Sequence, residues 1–309
     1  MSEFHQYMID TVKEKGGADV LYAIVTLEEP LTADESLFHM EKTDFRPNNP
    51  THNSYSVAKS VSATAAGILC DRGLLRMSDM LGQYLGEYLI DGTDARWGSL
   101  TVDMLCRHRT GAEYGIDFDL TNANLWQDPE WLHTLFAVPI TGTPGKEFIY
   151  SDGSYYILGR IVEKLVGMDM EAFLQKELFV PLGCHLNAWS RDINGHTVGG
   201  TGLYLRTEDM AKIGWLYLNN GRWGEKRIFS EKWSHAQLFP VTDEVGNYGY
   251  GMRKMGDAIW GAGGMYNQGF LFDQNTRRVV AWHAFDTEGK VNYIESSFRT
   301  YTESRPKTV

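Results

Sequence analysis

Near the N-terminus Phe4, Met8 and Val12 recur at close to helical spacing, and Gly16-Gly17 follows them, which predicts a short amphipathic helix closed by glycine. The next run, DVLYAIVTL over residues 19–27, is continuously apolar and β-rich and predicts a strand. Polar, proline-containing sequence then leads from Glu28 to Asn53. Beyond it Val57, Val61, Ala65, Ile68 and Leu69 form an apolar stripe at helical spacing. From Ser56 to about Asn220 the pattern stays mostly helical, with breaks at DRGLL, WGSLTVDML, TGTPGKEF, LVGMDMEAF and PLGCH. Within it a helix at Thr101-Val-Asp-Met-Leu is capped by Ser99 or Thr101, and SYYILGRIVEKLVG runs from Ser154 to a stop at Gly167. After Pro240 the period shortens to that of strands: NYGYGMRKM, AIWGAGGMYNQGFLFD and RRVVAWHAF are separated by Gly, Asp and Asn turns. VNYIESSFRTYTE then predicts a C-terminal helix.

One strand near the start, several near the end and helices between them predict an α+β fold. A mostly antiparallel sheet is flanked by the terminal helices, and a helical region is inserted into it. The expected division is a sheet domain from residues 1–54 and 236–309, a mainly helical domain from 55–235, and a site at their junction.

Composition narrows the function classes. A chain of 309 residues with 43% hydrophobic and 22% charged positions fits a soluble globular protein with a large core. The net charge is −11 and the 29 basic residues form no run, which argues against nucleic acid as a partner. Cys70, Cys106 and Cys184 lie among apolar neighbours and form no C-x-x-C pair, so three buried free thiols are expected. The first residues hold acidic side chains and no apolar core of a signal peptide, and no run of about 18 apolar residues exists. A cytoplasmic protein without a membrane span is the expectation. There is no H-E-x-x-H and no His/Cys cluster, so no metal and no cofactor are expected, and no G-x-S-x-G elbow.

The chemistry-bearing candidate lies in SYSVAKSVSATAAGILCDRG, where Lys59 follows Ser56 by three positions. A chain with 16 serines and 13 lysines holds roughly one Ser-x-x-Lys by accident. A second copy, Ser304 to Lys307, contains Pro306 and lacks a helix to hold its members together. The first copy opens a helix, so Ser56 and Lys59 share a face and their heads can meet. A serine hydroxyl needs a neighbouring base to become a nucleophile, and lysine serves only when neutral. The alternative is an N-cap serine beside a solvated lysine. Tyr150-Ser151-Asp152 falls in a turn before the next helix, where Tyr150 and Asp152 either face a cleft or pack and cap the helix start. A tyrosine near a lysine ionises more readily and can shuttle protons. Ala262-Gly263-Gly264 puts two glycines in a strand, which marks a close ligand approach or a bulge.

SVAK, YSD and GAGG, in that order, resemble the β-lactamase-related serine hydrolases, a family that includes class C β-lactamases, DD-peptidases and esterases. LTVDMLCRHRTGAEY, the block from Gly142 to Gly183, GTGLYLRTEDMAKIGWLYLNNGRW and YGYGMR extend the resemblance over most of the chain. It implies Ser56 as nucleophile, Lys59 as its activator and Tyr150 as the proton donor to the leaving group. It also implies an oxyanion held by backbone N–H groups of Ser56 and Met265, and a substrate bound by Asp152, Ala262, Gly263, Gly264 and Met265. The implied activity is hydrolysis of a small-molecule ester or amide through an acyl-enzyme. Two positions depart from the antibiotic-binding members. Ala262 stands where they carry the Lys of Lys-Thr-Gly, and Asp152 where they carry Asn. A β-lactamase or DD-peptidase activity, or a catalytically silent ligand-binding role, are the alternatives. If Asp152 pairs with Lys59 it favours the charged ammonium and opposes a base role. His108, near the His-x-Ser-Gly turn of the family, is expected to be structural. DLTNANLWQDPEWLHTLF, within a loop region at 112–142, is a candidate lining for an apolar acyl group, with core packing the alternative.

Overall fold

The computed structural model describes residues 1–47, 51–118, 127–239 and 247–305. Among them, six helices have eight or more residues: α1 (Glu3–Lys15), α2 (Ala58–Asp71), α3 (Asp152–Val166), α4 (Thr207–Leu218), α5 (Glu231–Leu238) and α6 (Tyr293–Glu303). The main sheet contains β1 (Leu21–Glu28), β2 (His39–Asp44), β8 (Arg253–Lys254), β9 (Ile259–Gly264), β10 (Gln268–Asp273) and β11 (Arg278–Ala284). Its order is β2-β1-β11-β10-β9-β8, and every neighbouring pair is antiparallel. A small sheet joins β3 (His52–Asn53), β5 (Leu203–Leu205) and β4 (Ala188–Trp189), and β6 (Arg222–Trp223) pairs with β7 (Lys226–Arg227).

The expected antiparallel sheet with flanking terminal helices is present. Both of its faces are covered, which is why its strands read as continuous apolar runs. Val25, Leu27, Phe270, Phe272, Val279 and Ala281 face the main core shared with the helical region. Ile24, Leu271, Val280 and Trp282 face a second core closed by Phe4, Met8 and Val12 of α1 and Ile294 and Phe298 of α6. Ser2 caps α1 by accepting from His5 N–H, and Gly16 ends it at φ 84°.

Two local expectations change. The polar stretch after Glu28 contributes a strand, β2, at the edge of the sheet, whose residues alternate between half-buried and exposed because successive side chains point to opposite faces. α3 starts at Asp152, two residues before the expected Ser154, because Gly153 joins the helix rather than a turn. The short helix Val102–Cys106 is capped by Thr101, not Ser99. Cys106 and Cys184 are buried and Cys70 is half-buried, all three free.

Candidate active site

Ser56 is placed by a tightly determined approach. Asn53 ends β3 and its side-chain oxygen accepts from Tyr55 N–H at 2.9 Å, while Ser54 N–H donates to Leu203 O at 2.7 Å. The Ser54 hydroxyl meets Nε2 of His283 on β11 at 3.2 Å, and Nδ1 of His283 meets the Thr207 hydroxyl on α4 at 3.0 Å. This fully buried chain ties the residues before Ser56 to both the sheet and the helical region. Burial, with His52 adding to it, pushes His283 down to about 3, so it is a neutral link. Tyr55 then adopts φ 47°, a strained left-handed conformation for a bulky side chain. Residues Tyr55–Val57 form a 3₁₀ turn that runs into α2. Ser56 therefore sits at the N-terminal end of a 14-residue helix, where the unpaired N–H groups supply positive potential.

Lys59, one turn on, is fully buried. Its Nζ donates to Ser56 Oγ at 3.0 Å, to Gly200 O at 2.8 Å and to Asp152 Oδ1 in a very short contact. The three donors of an ammonium thus find three acceptors. The other Asp152 oxygen accepts from Phe118 N–H at 3.0 Å. Gly200 is glycine for lack of space, since a Cβ there would stand 2.6 Å from Asp152 O. The pairing of Asp152 with Lys59, which works against lysine as the base, is thus present.

Tyr150 closes the same corner. Its ring centroid lies 4.5 Å from Lys59 Nζ and 4.5 Å from the ring of His108. His108 positions that segment: its carbonyl accepts from Ile149 N–H at 2.8 Å, and its Nδ1 accepts from Ser151 N–H at 3.3 Å. With Nδ1 accepting, Nε2 carries the proton and donates to Tyr248 Oη at 3.2 Å. Burial, reinforced by the charges of Lys59 and Arg253, holds His108 well below the usual imidazole range, so it stays neutral and acts as a scaffold. Burial likewise pushes the Tyr248 phenol well up.

A cleft of about 400 Å³ opens above these groups. Ser56 and Tyr150 form one wall, and Gly263, Gly264, Met265 and Gln268, around the turn from β9 to β10, form the other. Gly264 packs its backbone on the approach to Ser56: a Cβ there would lie 2.3 Å from Ser54 O. At Gly263 a Cβ would meet only Gln268 O, at 3.8 Å, so the surface there is open.

Of the residues expected to bind substrate, Gly263, Gly264 and Met265 line this cleft, and two do not. Ala262 is buried and packs into the main core. Asp152 lies behind Lys59 as its counter-ion. Trp131, Leu132, Leu135 and Phe136 are core residues, which favours the packing alternative for that stretch; residues 119–126 of it lie outside those described. Sequence reasoning did not find Arg253, Trp282 and Glu295, which also line the cleft, nor Gly200. Only sheet register and the docking of α6 bring them there.

Among the described residues no cluster of metal-ligating side chains occurs, and no helix is long and apolar enough to cross a membrane.

An antiparallel sheet with an inserted helical region and a Ser-x-x-Lys at a helix start defines the β-lactamase/transpeptidase-like class. The Beta-lactamase family model matches residues 41–292, and the chain belongs to this family of serine hydrolases. Among curated relatives, a protein of Escherichia coli O157:H7 named "Putative D-alanyl-D-alanine carboxypeptidase" is 23% identical over 241 residues, covering 62% of this chain and 55% of that one. The chain thus spans about half the length of that relative. Among solved structures, "Putative 6-aminohexanoate-dimer hydrolase from Bacillus anthracis" superposes with a TM-score of 0.79 at 17% identity, covering 97% of this chain and 83% of that one. EstCE1, described as a hydrolase with promiscuous acyltransferase activity, gives 0.70 at 14% identity over 96% and 99%. At these identities the likeness to solved structures is one of fold.

Proposed function

We propose that the protein hydrolyses small esters or amides through an acyl-enzyme on Ser56. The observation that carries this reading is the buried Lys59 Nζ, 3.0 Å from Ser56 Oγ at the floor of the cleft. Because all three donors of Lys59 are engaged, it acts as a fixed cation and hydrogen-bond donor, and Tyr150 is the proton relay. Tyr150, as phenolate, takes the Ser56 hydroxyl proton while Oγ attacks the carbonyl carbon. Backbone N–H groups of Ser56 and Met265 hold the resulting oxyanion. Its collapse breaks the bond to the leaving group, which leaves with the proton from Tyr150. A water then gives its proton to Tyr150 and attacks the acyl carbon; Ser56 departs and recovers that proton. The test is turnover of p-nitrophenyl esters across acyl lengths by wild type, Ser56→Ala and Lys59→Ala. Turnover in wild type and its loss in both variants supports the reading, while equal residual rates in all three would favour a silent ligand-binding protein.

The name of the curated relative favours a second reading, D-Ala-D-Ala or β-lactam chemistry. Ala262 weighs against it, since the cation of the third family motif is missing there. Stable acylation of Ser56 by a fluorescent penicillin would establish it.

A further inference from the structure

The cleft extends past Gly263 to a wall that none of the steps above uses. Arg253 of β8 stands opposite Gly261 of β9, and cross-strand partners share a face of the sheet. That is the face covered by α6, whose first turn carries Glu295. Both side chains line the cleft, together with Trp282 and Gln268. Trp282 and Asn267 are already tied: Trp282 Nε1 donates to Asn267 O at 2.9 Å, and Asn267 Nδ2 donates to Asp286 at 2.8 Å. Three groups are not. The Arg253 and Glu295 side chains are exposed and no ion pair or side-chain hydrogen bond engages either among the described residues, although Arg253 is close enough for its charge to act on Glu295. Gln268 is 2% exposed, lines the cleft and donates through Nε2 to Met265 O at 2.7 Å, while its Oε1 is buried without a partner. A buried acceptor beside a binding cleft takes its donor from an ordered water or from a ligand that displaces it.

We infer that this wall is a subsite for a zwitterionic amino-acid head group: Arg253 takes its carboxylate, Glu295 its ammonium, and Gln268 Oε1 accepts an N–H of the bound substrate. The inference deepens the proposed hydrolase function and rests on it for the position of the scissile bond, over Ser56 at the other end of the cleft. A lone arginine would accept any anion. Glu295 beside it repels dianions such as phosphate and rewards a positive charge next to the carboxylate. The opposed pair has not collapsed into a salt bridge, so a ligand displaces no internal contact on binding. Gly263 keeps the passage between the two ends open, since no side chain fills it. The cleft, with about 400 Å³ available, accommodates a small amino-acid ester or amide. The register of β8 also supplies a cation one strand away from the position where Ala262 lacks one.

Four aryl acetates of similar size separate the contributions: O-acetyltyrosine carries both charges, O-acetyltyramine only the ammonium, the acetate of 3-(4-hydroxyphenyl)propionic acid only the carboxylate, and 4-cresyl acetate neither. The expected order of kcat/KM places O-acetyltyrosine first and 4-cresyl acetate last, separated by at least about tenfold. The ratio of O-acetyltyrosine to 4-cresyl acetate falls roughly tenfold in Arg253→Met and in Glu295→Gln. Four esters within twofold of one another in wild type, or a ratio that survives both substitutions, would overturn the inference. Binding of free tyrosine, tyramine and 3-(4-hydroxyphenyl)propionic acid, followed by calorimetry, reads the subsite independently of catalysis. Preferential binding of tyrosine with no hydrolysis of any ester would retain the subsite and sink the hydrolase reading, whereas hydrolysis with no preference for tyrosine would do the reverse.

Discussion

On the helical side of the cleft the charges are matched before any substrate arrives. Lys59 spends its donors on Ser56, Asp152 and Gly200, Asp152 spends its second oxygen on Phe118 N–H, and His108 is neutral with both nitrogens engaged. On the strand side Arg253, Glu295 and Gln268 Oε1 wait without partners among the described residues. The saturated wall is rigid because each buried polar group would lose several kcal/mol if its partner moved. On the strand side Arg253 and Glu295 are exposed, and a ligand there exchanges water for direct contacts. On the proposed function chemistry belongs to the first wall and selection to the second, and substitutions on the two sides should fail in different ways.

The largest effect expected is on the first wall. Ser56→Ala removes the attacking oxygen, and turnover of any accepted ester should drop by about 10³-fold or more in a stopped assay while the melting curve barely changes. Lys59→Ala should damage activity and fold together, since it strands the Asp152 carboxylate in a site where Lys59 is fully buried. Denaturant unfolding is expected to show a loss of about 3–5 kcal/mol. The double variant Lys59→Met with Asp152→Leu should recover most of that loss and none of the activity. A double variant as unstable as the single one would show that the ion pair is not the reason.

Smaller effects distinguish the two glycines. Gly264→Ala forces a methyl group against Ser54 O and should lower stability by about 1–3 kcal/mol along with activity. Gly263→Ala meets open space and should leave unfolding within about 0.5 kcal/mol of wild type. Comparing both midpoints in urea decides this, and equal losses would contradict the close packing at Gly264.

The last expected effect is a slope. Burial pushes His283 down to about 3 and His108 well below its usual value, so both stay neutral in the fold while the unfolded chain takes up protons below about pH 6.5. A depressed folded value means that their contribution to stability is complete above about pH 6.5. It declines as pH falls toward 3, by up to about 1.4 kcal/mol per unit for each histidine. Unfolding followed between pH 8 and 5 should show a flat region and then this decline, and a stability that rises as pH falls through 6 would contradict it. The decline should be shallower in His283→Gln, which carries no titrating group.

The first wall was legible in the sequence and the second was not. Ser56 and Lys59 stand three apart on one predicted helix, so helical geometry alone brings them together, and Tyr150 and Asp152 sit two apart in the turn that leads into another. Arg253, Gln268 and Glu295 are separated by 42 positions and meet only through the β8-β9-β10 register and the packing of α6, which no local pattern encodes. The fold shows the same division. α1, β1, α2 and α6 follow from their hydrophobic period. β2 was hidden because an edge strand paired on one side carries a polar, half-exposed sequence. Ala262 looked like a cleft residue from its motif, yet its side chain turns into the main core, and a glycine neighbour on each side masked that alternation.

The central claim is that Ser56 is a nucleophile activated at the floor of the cleft. Incubation with a fluorophosphonate, followed by mass spectrometry of the tryptic peptides, tests it most directly. The account predicts a single phosphonylated serine, Ser56, in the wild-type protein and no adduct in Ser56→Ala. An unmodified wild-type protein, or a label that persists on another residue in Ser56→Ala, would contradict it.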